Sequence, residues 1–193
     1  MAKGKRLSAE ERKKEIIESA AKIIIEKGFS NTTMEDVISG TTMSKGGVYH
    51  YYKNTVEILR DLMLAGIDYR NEIIKEHMNE YKLEGETDFF AKRLVEKILD
   101  DNPYMPIYVQ YLIEKKRNPA LDDLFESLKE ETIKETKIMM EDVPKAFLNR
   151  QSMDFITNFL NGMILASDVL DARENFKENR YILEKMVAML LTE

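Results

Sequence analysis

Thr33 to Asn54 reads TMEDVISGTTMSKGGVYHYYKN. Thr33-Met34-Glu35-Asp36 predicts the start of a short helix, with two carboxylates placed at the positive end of its dipole. That helix should end near Ser39 or Gly40. After a turn of about four residues, Ser44 predicts the cap of a second short helix carrying Lys45 to Tyr51. Two short helices joined by so brief a turn have the dimensions of a helix-turn-helix. In that motif the second helix enters the major groove of DNA and the first crosses the backbone.

The chemistry of the second helix supports the same reading. Gly46 and Gly47 are adjacent inside it, and each costs roughly 1 kcal/mol against alanine in a helix interior. Stability alone does not select such a pair, whereas glycine allows another backbone, such as a phosphate chain, to come close. The helix N-terminus offers free amides and positive dipole to a phosphate. Lys45 adds charge, while Tyr49 and His50 add hydrogen-bonding groups. Val48 and Tyr52 are four apart and predict the face turned to the core. The bland alternative is a glycine-rich turn packed on the core, with His50 an ordinary surface residue; the flanking pattern favours a nucleic-acid surface.

Helix signals continue outward in both directions. Ser8-Ala9-Glu10-Glu11 is a capping box ahead of Ile16, Ala20, Ile23 and Ile24 at helical spacing. Lys27, Gly28 and Phe29 form a C-cap signature, with glycine expected in the left-handed region. Asn54-Thr55-Val56-Glu57 predicts a further capping box and a long helix through Tyr69 to Tyr81. Lys82 to Glu86, with Gly85, reads as a loop, and Thr87 as the cap of a helix through Phe90, Leu94 and Ile98. Asn102-Pro103 predicts a break, followed by a segment from Tyr104 to Leu112 interrupted early by Pro106. Asn118-Pro119 opens the next helix with proline at its first position, and Pro144 marks another break. The last two helices are expected from about Ser152 to Leu170 and, behind the box Asn175-Phe176-Lys177-Glu178, from Asn175 onward. The expectation is an all-α chain of about nine helices with no sheet. A three-helix N-terminal domain over residues 1–54 carries the helix-turn-helix, and a larger helical domain covers residues 55–193.

Composition sets the bounds. The 193 residues are 44% hydrophobic, enough for a sizeable core, and include no cysteine and only His50 and His77 as histidines. Neither a thiolate metal site nor a disulfide framework is possible, and no cofactor or metal is implied. The longest apolar run, Val187 to Leu191, is far short of the roughly 20 residues that span a bilayer, and no signal peptide is legible. A cytoplasmic protein is expected. The net charge is −6, but Met1 to Arg60 holds 11 basic against 8 acidic residues, a net +3, and the remainder holds 18 against 27, a net −9. A basic first third joined to an acidic body hints at a nucleic-acid-binding module. Lys3, Lys5 and Arg6, then Arg12, Lys13 and Lys14, form a basic arm of the kind that reaches phosphate or a minor groove.

From Arg12 to Leu59 the chain resembles the N-terminal domain of tetracycline-repressor (TetR) type regulators. The resemblance rests on Ile16-Ile17, Ala20-Ala21, Gly28-Phe29, Thr32-Thr33, Asp36-Val37, Ser44-Lys45-Gly46, Tyr49, Tyr52 and Leu59. It covers about the first third. It implies a three-helix DNA-binding domain, a larger helical domain and a homodimer. By resemblance, Thr33, Ser44, Lys45, Gly46, Gly47, Tyr49, His50, Lys53 and Asn54 lie where DNA is met, mostly at phosphates, with Lys45 and Tyr49 reaching base edges. Three residues depart from the family pattern. Thr42 stands where a turn glycine is usual, Ile38 where a small residue is favoured, and Thr55 where lysine commonly sits by a phosphate. A threonine with positive φ would be unfavourable, so turn geometry and affinity are at stake.

The body says less. Nine of the 12 methionines lie beyond Arg60, and methionine adapts to irregular binding surfaces. The resemblance implies a small-molecule site; Met63, Tyr108, Phe125, Phe159 and Met163 are candidate lining residues for a largely apolar ligand. Apolar residues of the last two helices cover more than one side, so that one stripe packs inward and another meets a partner subunit. A two-fold dimer places two recognition helices about 34 Å apart on an inverted-repeat operator. The expectation is a transcriptional regulator, a repressor released by its ligand. An enzyme is disfavoured, since no nucleophile elbow, phosphate loop or HExxH pattern is present. The alternative is a dimeric binding module that has lost DNA binding, for which Thr42 and Thr55 speak.

Overall fold

Helix signals dominate the sequence, and the computed structural model is helical throughout, with no strand among the described residues 7–139 and 145–192. Twelve α-helices follow one another there: α1 Ala9–Lys27, α2 Met34–Ser39, α3 Lys45–Tyr51, α4 Thr55–Glu76, α5 Met78–Glu84, α6 Glu86–Leu99, α7 Met105–Glu114, α8 Pro119–Met139, α9 Lys145–Leu148, α10 Arg150–Val169, α11 Arg173–Glu178 and α12 Arg180–Thr192. The arm residues Lys3, Lys5 and Arg6, and the break at Pro144, lie outside the described residues.

The count exceeds nine because two long runs are divided and a short helix, α9, stands ahead of α10. The helix expected to end at Tyr81 breaks at His77, whose N–H bonds to the carbonyl of Ile74 at 3.2 Å, and resumes as α5. The loop expected over Lys82 to Glu86 shrinks to Gly85 alone. Its φ of +86°, open to glycine without strain, turns the chain directly from α5 into α6. Thr87 therefore lies inside α6 and caps nothing. The final helix starts before Asn175, as α11, and is interrupted at Asn179. Asn175 lies inside α11, whose N-cap is Ala172, so the expected capping box does not form. Pro106 causes no interruption. It sits in the first turn of α7, where its missing N–H is one of the orphans anyway, and Asn102 caps that turn by accepting the Tyr104 and Met105 amides at 2.8 and 3.1 Å. The Ser8 box forms as expected. Gly28 ends α1 with φ 81° but ψ 155°, a positive-φ extended turn rather than a left-handed helical one.

The chain divides into two compact units. One gathers residues up to Ala65 with Pro106–Leu124, and the other Gly66–Met105 with residues from Phe125 onward. The core of the first includes Ile16, Ala20 and Ile24 of α1, Val37, Val48, Tyr52, Ile58, Leu59 and Leu62, with Ile107, Tyr111 and Leu121. In the second, α6 lies against both α10 and α12. Phe89, Val95 and Ile98 are buried there with Ile156, Leu160, Ile164, Leu183 and Val187. Burying each such side chain stabilises the fold by about 1.5–3 kcal/mol. No helix among the described residues is long and apolar enough to cross a membrane.

Candidate nucleic-acid interface

The helix-turn-helix is built by local caps and a few long-range anchors. Thr33 caps α2, accepting the Asp36 N–H at 3.2 Å while its own hydroxyl donates to the Asp36 carboxylate at 2.5 Å. Lys27 at the end of α1 also meets that carboxylate. These bonds, Lys27 first, hold the Asp36 carboxyl down to about 2. Ser44 caps α3 by accepting the Gly47 N–H at 3.2 Å. Its hydroxyl hydrogen has no acceptor among the described residues, so Ser44 keeps a donor for a phosphate oxygen whereas Thr33 has spent its own.

Between the helices, Thr42 avoids the strain that a turn glycine would relieve. Among the described residues Asp171 is the one non-glycine with positive φ, so Thr42 keeps an ordinary backbone. Its N–H donates to the Glu15 carboxylate of α1 at 2.5 Å, and that bond lowers the Glu15 pKa. Gly40 has φ −87°. It serves close packing instead, because a Cβ there would stand 2.2 Å from the Ser19 hydroxyl. That hydroxyl donates to the Val37 carbonyl at 2.8 Å and ties α1 to α2.

The core face of α3 is the expected one: Val48 is 0% and Tyr52 3% exposed. The Tyr52 hydroxyl donates to Asp61 of α4 at 2.7 Å. Burial first, then this bond and the Asp61 charge, push the phenol well above its ordinary pKa. Lys13 lies 5.6 Å over the Tyr52 ring and 3.7 Å from Asp61. The recognition helix is thus held against α1 and α4 from behind.

The opposite face is open. Thr33, Ser44, Lys45, Gly46, Tyr49, His50, Lys53 and Asn54 are exposed, and Gly47 is partly so. Eight of these nine lie along α3, its cap and the corner that follows, while Thr33 stands at the cap of α2. A Cβ at Gly46 would meet nothing within 4 Å, so its missing side chain leaves room outside the protein. At Gly47 a Cβ would come 3.3 Å from Met43. Asn54 accepts the Glu57 N–H at 2.9 Å, but Glu57 reaches the Lys53 amide at 2.8 Å rather than that of Asn54, so the expected box is displaced by one residue. Lys45 is not free: its ammonium lies 2.9 Å from Glu35 of α2 and 5.8 Å from the Tyr49 ring. Glu15, Glu35, Ser19 and Asp61 escaped the sequence reading because each meets a partner outside its own helix. Such contacts between helices carry no periodic signal in the sequence.

This geometry coincides with a family match. The model for bacterial regulatory proteins of the tetR family matches residues 16–62, from α1 through the recognition helix into α4. Those residues carry the N-terminal domain of bacterial regulatory proteins of the tetR family. It is similar to YfiR, an uncharacterized HTH-type transcriptional regulator of Bacillus subtilis (strain 168), at 29% identity over 110 residues, 56% of this chain and 54% of that protein. It is 28% identical over 99 residues to IcaR of Staphylococcus epidermidis, a negative regulator of the biofilm operon icaADBC, covering 51% of this chain and 52% of that one. The matches thus span about half the length of these relatives. Solved structures share the fold over most of the chain at low identity. GusR of Salmonella enterica has a TM-score of 0.68 at 17% identity, covering 98% of this chain and 100% of that one. The fatty acid degradation regulator FadR of Bacillus halodurans has 0.66 at 17%, covering 97% of each. The multidrug binding protein EbrR, complexed with malachite green, has 0.58 at 17%, covering 87% and 97%.

The five candidate ligand residues are distributed over the two units. Met63, which is buried, and Tyr108 belong to the first; Phe125, Phe159 and Met163, all partly buried, belong to the second. A surface cavity of about 420 Å³ in the second unit is lined by Glu130, Ile133, Lys134, Lys137 and Ile138, and by none of the five. No group of His, Asp or Glu side chains among the described residues is arranged to hold a metal.

Proposed function

We propose that this protein is a TetR-family, sequence-specific DNA-binding repressor. It acts as a homodimer on an inverted-repeat operator and is released by a small, largely apolar ligand. The observation that carries the reading is the open face of α3. Lys45, Tyr49, His50 and the Ser44 hydroxyl stand there on a helix pinned from behind by Tyr52 and Asp61. Phosphate contacts from Ser44, Lys53 and the α3 N-terminus position the protein, and Lys45 and Tyr49 reach base edges. The negative regulator IcaR among the relatives supports repression.

Residues 55–193 carry ligand sensing and dimerisation in this reading. Ligand sensing is supported by the neighbours FadR and EbrR, whose names speak of fatty acid degradation and multidrug binding. Dimerisation through the last two long helices is supported by their faces. On α12, Leu183, Val187 and Leu191 are buried while Tyr181, Ile182, Met186 and Met189 are exposed. On α10, Ile156, Leu160 and Ile164 are buried while Phe155 is exposed and Gly162 opens onto empty space. Such a second apolar stripe matches a four-helix contact across a two-fold axis.

Selection from random-sequence duplexes tests the reading. Enrichment of an inverted repeat, with half-sites about one helical turn or a multiple of it apart, is the expected result. Failure to enrich any sequence over many rounds would overturn DNA recognition and leave a dimeric binding module.

A further inference from the structure

We propose that Glu35 limits DNA affinity by holding Lys45 as an intramolecular competitor of the DNA. The inference rests on the DNA-binding reading above and names a residue that tunes it. Glu35 and Lys45 are ten residues apart, on different helices, and both side chains lie on the open face, 64% and 67% exposed. The ammonium donates to the Glu35 carboxylate at 2.9 Å and stands 5.8 Å from the Tyr49 ring, so it is folded back on the protein. Neighbouring Asp36 is already committed to Lys27 and Thr33. Glu35 is the carboxylate that answers Lys45.

Two consequences follow from elementary electrostatics. Lys45 must leave Glu35 before it can reach a phosphate or a guanine edge, so each binding event exchanges one partner of the ammonium for another. Because an exposed Lys–Glu pair is weak, the exchange weakens binding without preventing it. A carboxylate then stays beside the polyanion uncompensated, which opposes association on any sequence and slows the charge-steered encounter. Such an opposing group restrains non-specific binding, since that binding is almost wholly electrostatic.

The test measures dissociation constants for an enriched operator and for scrambled DNA, using wild type, Glu35→Gln, Lys45→Met and the double variant. Thermal melts confirm that all four are folded. Glu35→Gln is expected to tighten the operator by roughly three- to fivefold, the range of one exposed pair, and scrambled DNA by less. The gain should fall below twofold when Lys45 is already methionine. Weaker operator binding by Glu35→Gln would mean that Glu35 orients Lys45 for a base, and would overturn the proposal. An equal gain in both backgrounds would show bare charge repulsion without competition, and would overturn it too. If wild type binds no DNA, the parent reading fails first and the proposal falls with it; wild-type binding with either contrary result sinks the proposal alone.

Discussion

Tyr52 joins the recognition helix to the rest of the protein through one buried ring and one hydroxyl. Removing the hydroxyl in Tyr52→Phe leaves the ring packed but breaks the 2.7 Å bond to Asp61. The expected loss is about 1.5–3 kcal/mol in urea unfolding, typical of a hydrogen bond to a charged group. DNA affinity should fall as well, although Tyr52 faces away from the open surface. Gly40 is constrained from the other side of the motif. In Gly40→Ala the new methyl meets the Ser19 hydroxyl, which must rotate away from the Val37 carbonyl. A cost of about 1–3 kcal/mol is expected, as for other overpacked sites. Ser19→Ala in the same chain should return part of it, measured by a double-mutant cycle. At this scale the sequence was legible where a bond is local. Ser8, Thr33 and Ser44 cap through bonds three residues long, so composition reveals them. Thr42 was not legible, because its backbone is decided by Glu15, 27 residues earlier.

Elements were legible in kind and less so in extent. All the helical runs exist, but their ends depend on packing that periodicity does not encode. Asn175 has the letters of a cap and lies within α11, while Gly85 alone makes a turn where the stretch from Lys82 to Glu86 suggested a loop. The α10 end turns at Asp171, a non-glycine with φ 54°, which nothing in its neighbours announces. Helix α6 carries the clearest energetic consequence. Burial first, then the Arg70 charge, push its Lys97 ammonium down to about 8. A lysine depressed in the folded state opposes folding while both states are protonated, and this opposition fades as the pH rises from about 8 towards the ordinary value of 10.5. Lys97→Met should therefore raise the melting temperature near pH 7. Its advantage over wild type should shrink steadily between pH 8 and 10.5. An advantage that does not change with pH would show that Lys97 keeps its ordinary value.

For the whole molecule, the candidate DNA-contacting segment could be named from the sequence because its residues cluster within 22 positions of the chain. The proposed dimer face is legible only as surplus apolar residues, and the candidate ligand residues come by resemblance alone, since they lie on distant helices. The exposed stripe of α10 and α12 gives the assembly its test. Phe155→Glu with Met189→Glu places two charges on residues that are each 61% exposed in the chain. The variant should stay folded, sediment as a monomer and bind an inverted repeat at least about tenfold more weakly, because two linked half-sites bind far better than one. An unchanged dimer would move the interface elsewhere.

The central claim is that α3 reads DNA, and it is tested most directly by fluorescence-anisotropy titration. Wild type, Lys45→Ala and Tyr49→Ala would be titrated against an enriched operator and a scrambled duplex at several salt concentrations. Wild type should prefer the operator, with the logarithm of its affinity falling linearly in log salt. Each substitution should cost about 1–3 kcal/mol on the operator, as for loss of a good base contact, and much less on scrambled DNA. Equal affinity for both duplexes, or operator binding untouched by either substitution, would contradict the assignment of α3 as the recognition helix.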